Sequence, residues 1–163
     1  MRALLLVAAL VLAGCGFHLR GSFSLPFDTL YIAQPEASEL RAVIKRNIEA
    51  ATHTRIVGTA AEAQASLIIL GDQIQKKIMS LNSAGRVREY QLERTFVFMV
   101  ANAQGWEFVP QSTIRITREM TFDDAAVLSK QAEESLLWRD IQNDMVQQLM
   151  RRLAAAKLKP ADG

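Results

Sequence analysis

The chain of 163 residues holds one cysteine, Cys15, and places it at the end of an apolar run. Ala3 to Ala13 is continuously apolar, Arg2 is the only cation before it, and Leu12-Ala13-Gly14 leads directly into the thiol. A membrane-spanning helix needs about 20 apolar residues, so this run is too short to cross. A charged start, a short apolar core and small residues before the cysteine are instead the parts of a secretory signal. Leu-Ala-Gly-Cys fits the bacterial lipobox, where the chain is cut just before the cysteine. The thiol then carries a diacylglycerol, and the freed amine is acylated. Each buried methylene contributes about 0.8 kcal/mol and a single chain anchors only marginally, so several chains on Cys15 make the firm anchor. The next residue is Gly16 rather than aspartate. Under the enterobacterial sorting rule this favours the outer membrane, with the protein body in the periplasm. With its thiol committed to lipid, the chain has no cysteine for a disulfide.

Other reactive residue types are sparse. The histidines are His18 and His53, far apart in sequence, and no Cys/His/Asp/Glu spacing suggests a metal site. Neither a nucleophile elbow nor a phosphate loop is present. The sequence therefore points to no catalytic residue and no cofactor beyond the lipid on Cys15. Lys and Arg number 19 against 17 acidic residues. A balance this near neutral argues against nucleic acid, which calls for a concentrated basic surface. The cations that stand out by position are Arg86 and Arg88 in a turn, Lys130 near the start of a helical stretch, and Arg94 and Arg118. The last two interrupt apolar strand faces, and the safest sequence assignment is the rim of the sheet. Partners at Glu89 or Glu119, or contacts to another protein, are the alternatives.

These residues must be carried by a scaffold that periodicity outlines. Residues 1–14 read as the signal peptide, 15–28 as a lipidated lead-in, and 29–160 as a single α+β domain. In the lead-in Phe17, Leu19, Phe23 and Leu25 alternate, so it either lies along the body as a strand or simply leads away from the membrane. Thr29–Ala33 is a short β-rich run. Glu36–Ala51 carries Leu40, Val43, Ile44, Ile48 and Ala51 at helical spacing, with Arg41, Lys45, Arg46 and Glu49 on a solvated face. Residues 52–65 form a mixed connector with room for a short strand at Arg55–Val57. Ser66–Met79 reads as one long strand, buried early and half exposed later, with Gly71 marking a bulge. Val87–Val100 and Trp106–Phe122 alternate over long spans, which signals a sheet with one buried face. Pro110 indicates a bulge or an edge strand. Val127–Leu158 is helical, with Leu137, Ile141, Met145, Leu149 and Leu153 on one stripe, joined by Leu136, Trp138, Val146 and Met150. The order β-α-β-β-β-α predicts a two-layer sandwich, a roughly four-stranded mixed sheet with two helices on one face. The polar sheet face, with Thr113, Arg115 and Thr117, is left for contact with a partner.

Cys15-Gly16-Phe17-His18-Leu19-Arg20-Gly21 resembles the mature N-terminus of the LptE family of lipopolysaccharide-assembly lipoproteins, whose pattern is Cys-Gly-aromatic-His-Leu-Arg. Arg88-Glu89-Tyr90-Gln91-Leu92 is a second match, and size and element order fit the family over essentially the whole chain. The resemblance implies a non-enzymatic outer-membrane protein that plugs the lumen of the β-barrel LptD in a 1:1 complex. It also implies a part in barrel assembly and in the insertion of lipopolysaccharide into the outer leaflet. Phe17, His18 and Arg20 would then meet the barrel. In the family, lipopolysaccharide binding is tied to a basic residue in the loop before Glu-Tyr-Gln and to a lysine early in the last helix. Ser83 stands where the family's loop arginine aligns, with Arg86 and Arg88 the nearest substitutes. Lys130 matches the helix lysine, after a stretch one residue shorter. A lipoprotein adaptor of another envelope complex is the alternative reading, and an envelope hydrolase the more distant one.

Overall fold

A computed structural model describes residues 24–156. Cys15, Gly16, Phe17, His18 and Arg20 lie outside the described residues. The strands are β1 (Thr29–Ile32), β2 (Arg55–Val57), β3 (Ala65–Leu81), β4 (Val87–Ala101) and β5 (Glu107–Thr121). The helices are α1 (Glu39–Ala51) and α2 (Val127–Ala154). The sheet has five strands in the order β2-β1-β3-β4-β5. The four-stranded expectation is thus one strand short. β2, at Arg55–Val57, pairs parallel with β1 and forms an edge. The sequence left room for a short strand at these residues, but three residues span too little of a period-two pattern for it to have been counted in the sheet.

β1 also pairs parallel with β3, while β3, β4 and β5 are antiparallel. Both meander turns follow one local rule. Asn82 accepts hydrogen bonds from the N–H groups of Ala84 and Arg86, each at 3.0 Å. Asn102 accepts from Gln104 and Trp106 at 3.0 and 2.8 Å. Gly85 and Gly105 close these turns at φ of +75° and +83°, where a side chain would be strained. In β3 the register shifts between Ile69 and Gly71, as the glycine suggested. In β5 the shift falls opposite Phe98–Val100, next to Pro110, so the proline is both in an edge strand and at a bulge.

α1 begins at Ser38, whose hydroxyl accepts from the Arg41 N–H, and buries Val43, Ile44 and Ile48. Arg41, expected on the solvated face, is itself buried and pairs with Glu36 at 3.5 Å. Asp123 caps a short 3-10 turn that leads into α2. The second half of α2 is the more deeply buried, through Ile141, Met145, Val146, Leu149, Met150 and Leu153. Leu136, grouped with that stripe from the sequence, is exposed instead. Both helices share one apolar core with Leu30, Ile32, Leu67, Leu92, Phe96, Phe98 and Ile114. They therefore lie on the same face, and among the described residues the opposite face carries no helix. At the start of the described chain Phe27 is buried, its ring 5.4 Å from Phe108, and its carbonyl accepts from the Thr54 hydroxyl at 2.8 Å.

Candidate functional site

The strand register sorts the side chains of the meander into rows. On the helix-free face the rows read Gly71–Val97–Thr113, Gln73–Thr95–Arg115, Gln75–Glu93–Thr117 and Lys77–Gln91–Glu119. Thr113, Arg115 and Thr117 are therefore neighbours at alternate positions of one exposed strand, as the alternation predicted. Together the rows form a broad polar surface of amides, hydroxyls and mixed charge. Lys77 Nζ donates to Glu93 Oε1 at 2.8 Å. That hydrogen bond, reinforced by the positive charges of Lys77 and Arg115, holds the Glu93 carboxyl below its ordinary value. A depressed carboxylate pKa contributes stability above the unfolded value, and that contribution is lost as pH falls through the folded one. Replacing Lys77 by methionine is expected to raise the Glu93 titration midpoint toward that of a free glutamate, followed by carboxyl NMR. An unchanged midpoint would show that Arg115 alone sets it.

The lower end of the meander gathers the basic residues singled out from sequence. Arg86 Nη1 lies 3.4 Å from Asp124 Oδ2, tying the β3–β4 turn to the approach of α2. The carbonyl of Arg88 accepts from the Phe122 N–H at 2.8 Å. Lys130 Nζ donates to Thr121 Oγ1 at 3.1 Å and to Glu133 Oε2 at 2.8 Å. Arg86, Arg88 and Lys130 thus come from a turn, a strand and a helix to one end of the molecule. Met79, Glu89, Glu119, Met120 and Thr121 line a shallow cleft of about 280 Å³ at that end. Carboxylates interleave with the cations, so the end is amphoteric rather than uniformly basic.

The helix-covered face holds what sequence reasoning missed. Its rows are Asp72–Phe96–Ile114, Ile74–Arg94–Ile116, Lys76–Leu92–Arg118 and Ile78–Tyr90–Met120. Arg94 is not a rim residue. Its Nε and Nη2 donate to both oxygens of Asp72 at 2.8 and 2.7 Å, and Nη1 reaches Gln142 of α2 at 3.3 Å. Arg118 bonds neither Glu89 nor Glu119. It spans Asp140 and Asp144 of α2 at 2.8 and 3.2 Å, and these carboxylates raise its pKa. Lys76 pairs with Glu134 at 2.6 Å and sits 4.1 Å from the centre of the Tyr90 ring. The first half of α2 is thus fixed to the sheet largely by ion pairs, the second half by apolar packing. The signal was present in the sequence as arginines breaking apolar faces, but their partners lie 22 to 48 positions away. Among the described residues no cluster of His, Cys, Asp and Glu could hold a metal ion. Nor is any described helix long and apolar enough to cross a membrane.

Comparison with known proteins agrees with this architecture. The sequence model of the LptE family, described as lipopolysaccharide-assembly, matches residues 27–153. The LPS-assembly lipoprotein LptE of Pectobacterium atrosepticum is 30% identical over 152 residues, covering 90% of this chain and 80% of the relative. That of Yersinia enterocolitica is 29% identical over 169 residues, covering 97% and 78%. The solution structure of lipoprotein B from Nitrosomonas europaea has a TM-score of 0.75 at 35% identity, covering 86% of this chain and 91% of that one. The crystal structure of the rare lipoprotein B from Shewanella oneidensis, at 23% identity, shares the fold with a TM-score of 0.66, covering 78% and 94%. With the family's pattern matched from Phe27 in the core to Leu153 at the end of α2, the chain belongs to the LptE lipopolysaccharide-assembly family.

Proposed function

We propose that this chain is a non-enzymatic lipoprotein of the outer membrane, cut before Cys15 and anchored by lipid on that residue. Its body sits in the lumen of the LptD β-barrel, and the pair delivers lipopolysaccharide to the outer leaflet. The family match over residues 27–153 carries this reading, and the relatives it resembles are named for lipopolysaccharide assembly. The helix-free sheet face supplies a suitable surface. The inner wall of a large barrel is polar and wet, so a plug meets it through hydrogen bonds and charge pairs rather than an apolar seam. The rows containing Thr113, Arg115 and Thr117 offer such groups without covering helices. Phe17, His18 and Arg20 would extend the same contact from the anchor.

The end holding Arg86, Arg88 and Lys130 is the candidate lipid-contacting end. Guanidinium groups match phosphate through forked hydrogen bonds. Lipid A phosphates would replace Asp124 at Arg86 and Glu133 at Lys130. Each displaced pair is at least partly exposed, so the exchange sacrifices little.

Purification from membranes in mild detergent, followed by mass spectrometry, tests the assignment. A stoichiometric large outer-membrane barrel is the expected companion. A different stable partner would move the function to another envelope complex. The orientation has its own test: Arg115→Glu is expected to weaken the barrel complex more than Lys45→Glu, because Lys45 lies on α1, across the sheet from the polar face. Equal losses in a quantitative pull-down would rule this orientation out.

A further inference from the structure

β3 is flanked on its outer side only at its start. β1 pairs with Ala65, Ser66 and Leu67, and no described strand continues beyond Ile32. Among the described residues, no strand claims the backbone groups of the remaining edge, which runs on to Leu81. On the helix side of this edge, Ile74 and Ile78 are each 58% exposed, so α2 leaves them uncovered. An open apolar edge of this kind is a template for pairing with another strand. The other long edge is better guarded. β5 contains Pro110, which has no N–H to donate, and Arg118 reaches from it to α2, which packs chiefly on that strand.

The sequence of the β3 edge says what fits it. Its regular register with β4 runs from Gly71 to Ile78, between two bulges. Within it the seven residues Gly71-Asp72-Gln73-Ile74-Gln75-Lys76-Lys77 have Ile74 at their centre. We infer that the β3 edge pairs with the β3 edge of a second copy of this chain, antiparallel, with the two-fold axis at Ile74. In that register Ile74 faces Ile74, Gln73 faces Gln75, and Asp72 of each copy faces Lys76 of the other. Paired residues differ by an even number, so outward backbone groups meet outward backbone groups and every side chain keeps its face. Neighbouring registers fail. An axis at Lys76 or at Asp72 opposes like charges, and an axis at Gln73 or Gln75 sets a charged residue against Ile74. The seven-residue ladder is about 23 Å long, joins two sheets into one, and closes by symmetry, so it occupies the central part of the β3 edge and does not propagate to a third copy. The pairing goes beyond the barrel reading and describes the lipoprotein free of the barrel.

The test uses the full chain, produced without the barrel and held in mild detergent. Light scattering corrected for detergent is expected to give the mass of two chains. Ile74→Cys is expected to link the copies through a disulfide on mild oxidation, since directly opposed positions bring Cβ atoms to about 5 Å. Arg115→Cys, on the far strand, is expected to stay unlinked under the same conditions. Ile74→Lys opposes like charges at the axis and is expected to raise the dimer dissociation constant at least roughly tenfold. Its helix and strand content should be unchanged by circular dichroism, because the position is exposed. A single-chain mass at the highest monodisperse concentration would overturn the inference, as would equal linking at positions 74 and 115. Because no barrel is present, failure here leaves the co-purification test of the barrel reading untouched.

Discussion

Asp72→Ala is expected to destabilise the fold by roughly 3 kcal/mol, the larger effect of the two changes that break the Asp72–Arg94 pair. The reason is an asymmetry of burial. The Arg94 side chain is 6% exposed, whereas that of Asp72 is 24% exposed at the edge of the sheet. Removing the carboxylate strands a guanidinium between Ile74, Ile116 and the helix layer, with Gln142 as its one remaining side-chain partner. Arginine cannot shed its proton to relieve the cost. Arg94→Met removes the charge itself and leaves Asp72 able to turn toward water, so its cost is expected to be clearly smaller. Urea unfolding of the two variants, with slopes matched to the parent, reads the difference directly. Equal losses, or a greater loss for Arg94→Met, would show that the guanidinium is hydrated in the folded protein.

Phe96→Ala is expected to cost about 3–5 kcal/mol, the range for deleting a large ring from a packed interior. Phe96 is fully buried and stacks on Phe98 with ring centres 5.6 Å apart. It occupies the row between Asp72 and Ile114, beneath the helix layer. Truncation therefore removes apolar contact and opens a cavity that neighbouring strands, fixed by their ladders, can close only in part. Val97→Ala, one residue along on the helix-free face, is expected to cost roughly 1 kcal/mol or less. A thermal or urea series that finds the two changes equivalent would contradict the assignment of faces in β4.

Much of this architecture was legible because its longest elements have clean periods. β4 and β5 are 15 residues each and alternate over most of that length, enough to fix both strand type and buried face. The paired Asn and Gly turns are local chemistry, readable from five residues. The proposed anchor at Cys15 likewise rests on local sequence alone, Leu12-Ala13-Gly14-Cys15, in a segment outside the described residues. Arg86, Arg88 and Lys130 could be named from the chain, but not assembled. Arg86 and Lys130 are 44 positions apart in sequence, and only the packing of α2 against β5 brings them to one end.

What the sequence by itself determined is the order of the long elements, most of the buried stripe of each, the α+β class and the membership pattern of the LptE family. Each of these depends on residue type at short range: periodicity, turn chemistry, and motifs a few residues long. Only the tertiary structure decided the partners of Arg94 and Arg118, the burial of Arg41, the fifth strand and the open length of β3. These depend on which distant segments meet. A buried charge is tolerable only where a far carboxylate arrives to neutralise it, and a strand edge is open only where its neighbour ends early. No local pattern encodes either condition, because both are properties of the register between strands and of the layer above them.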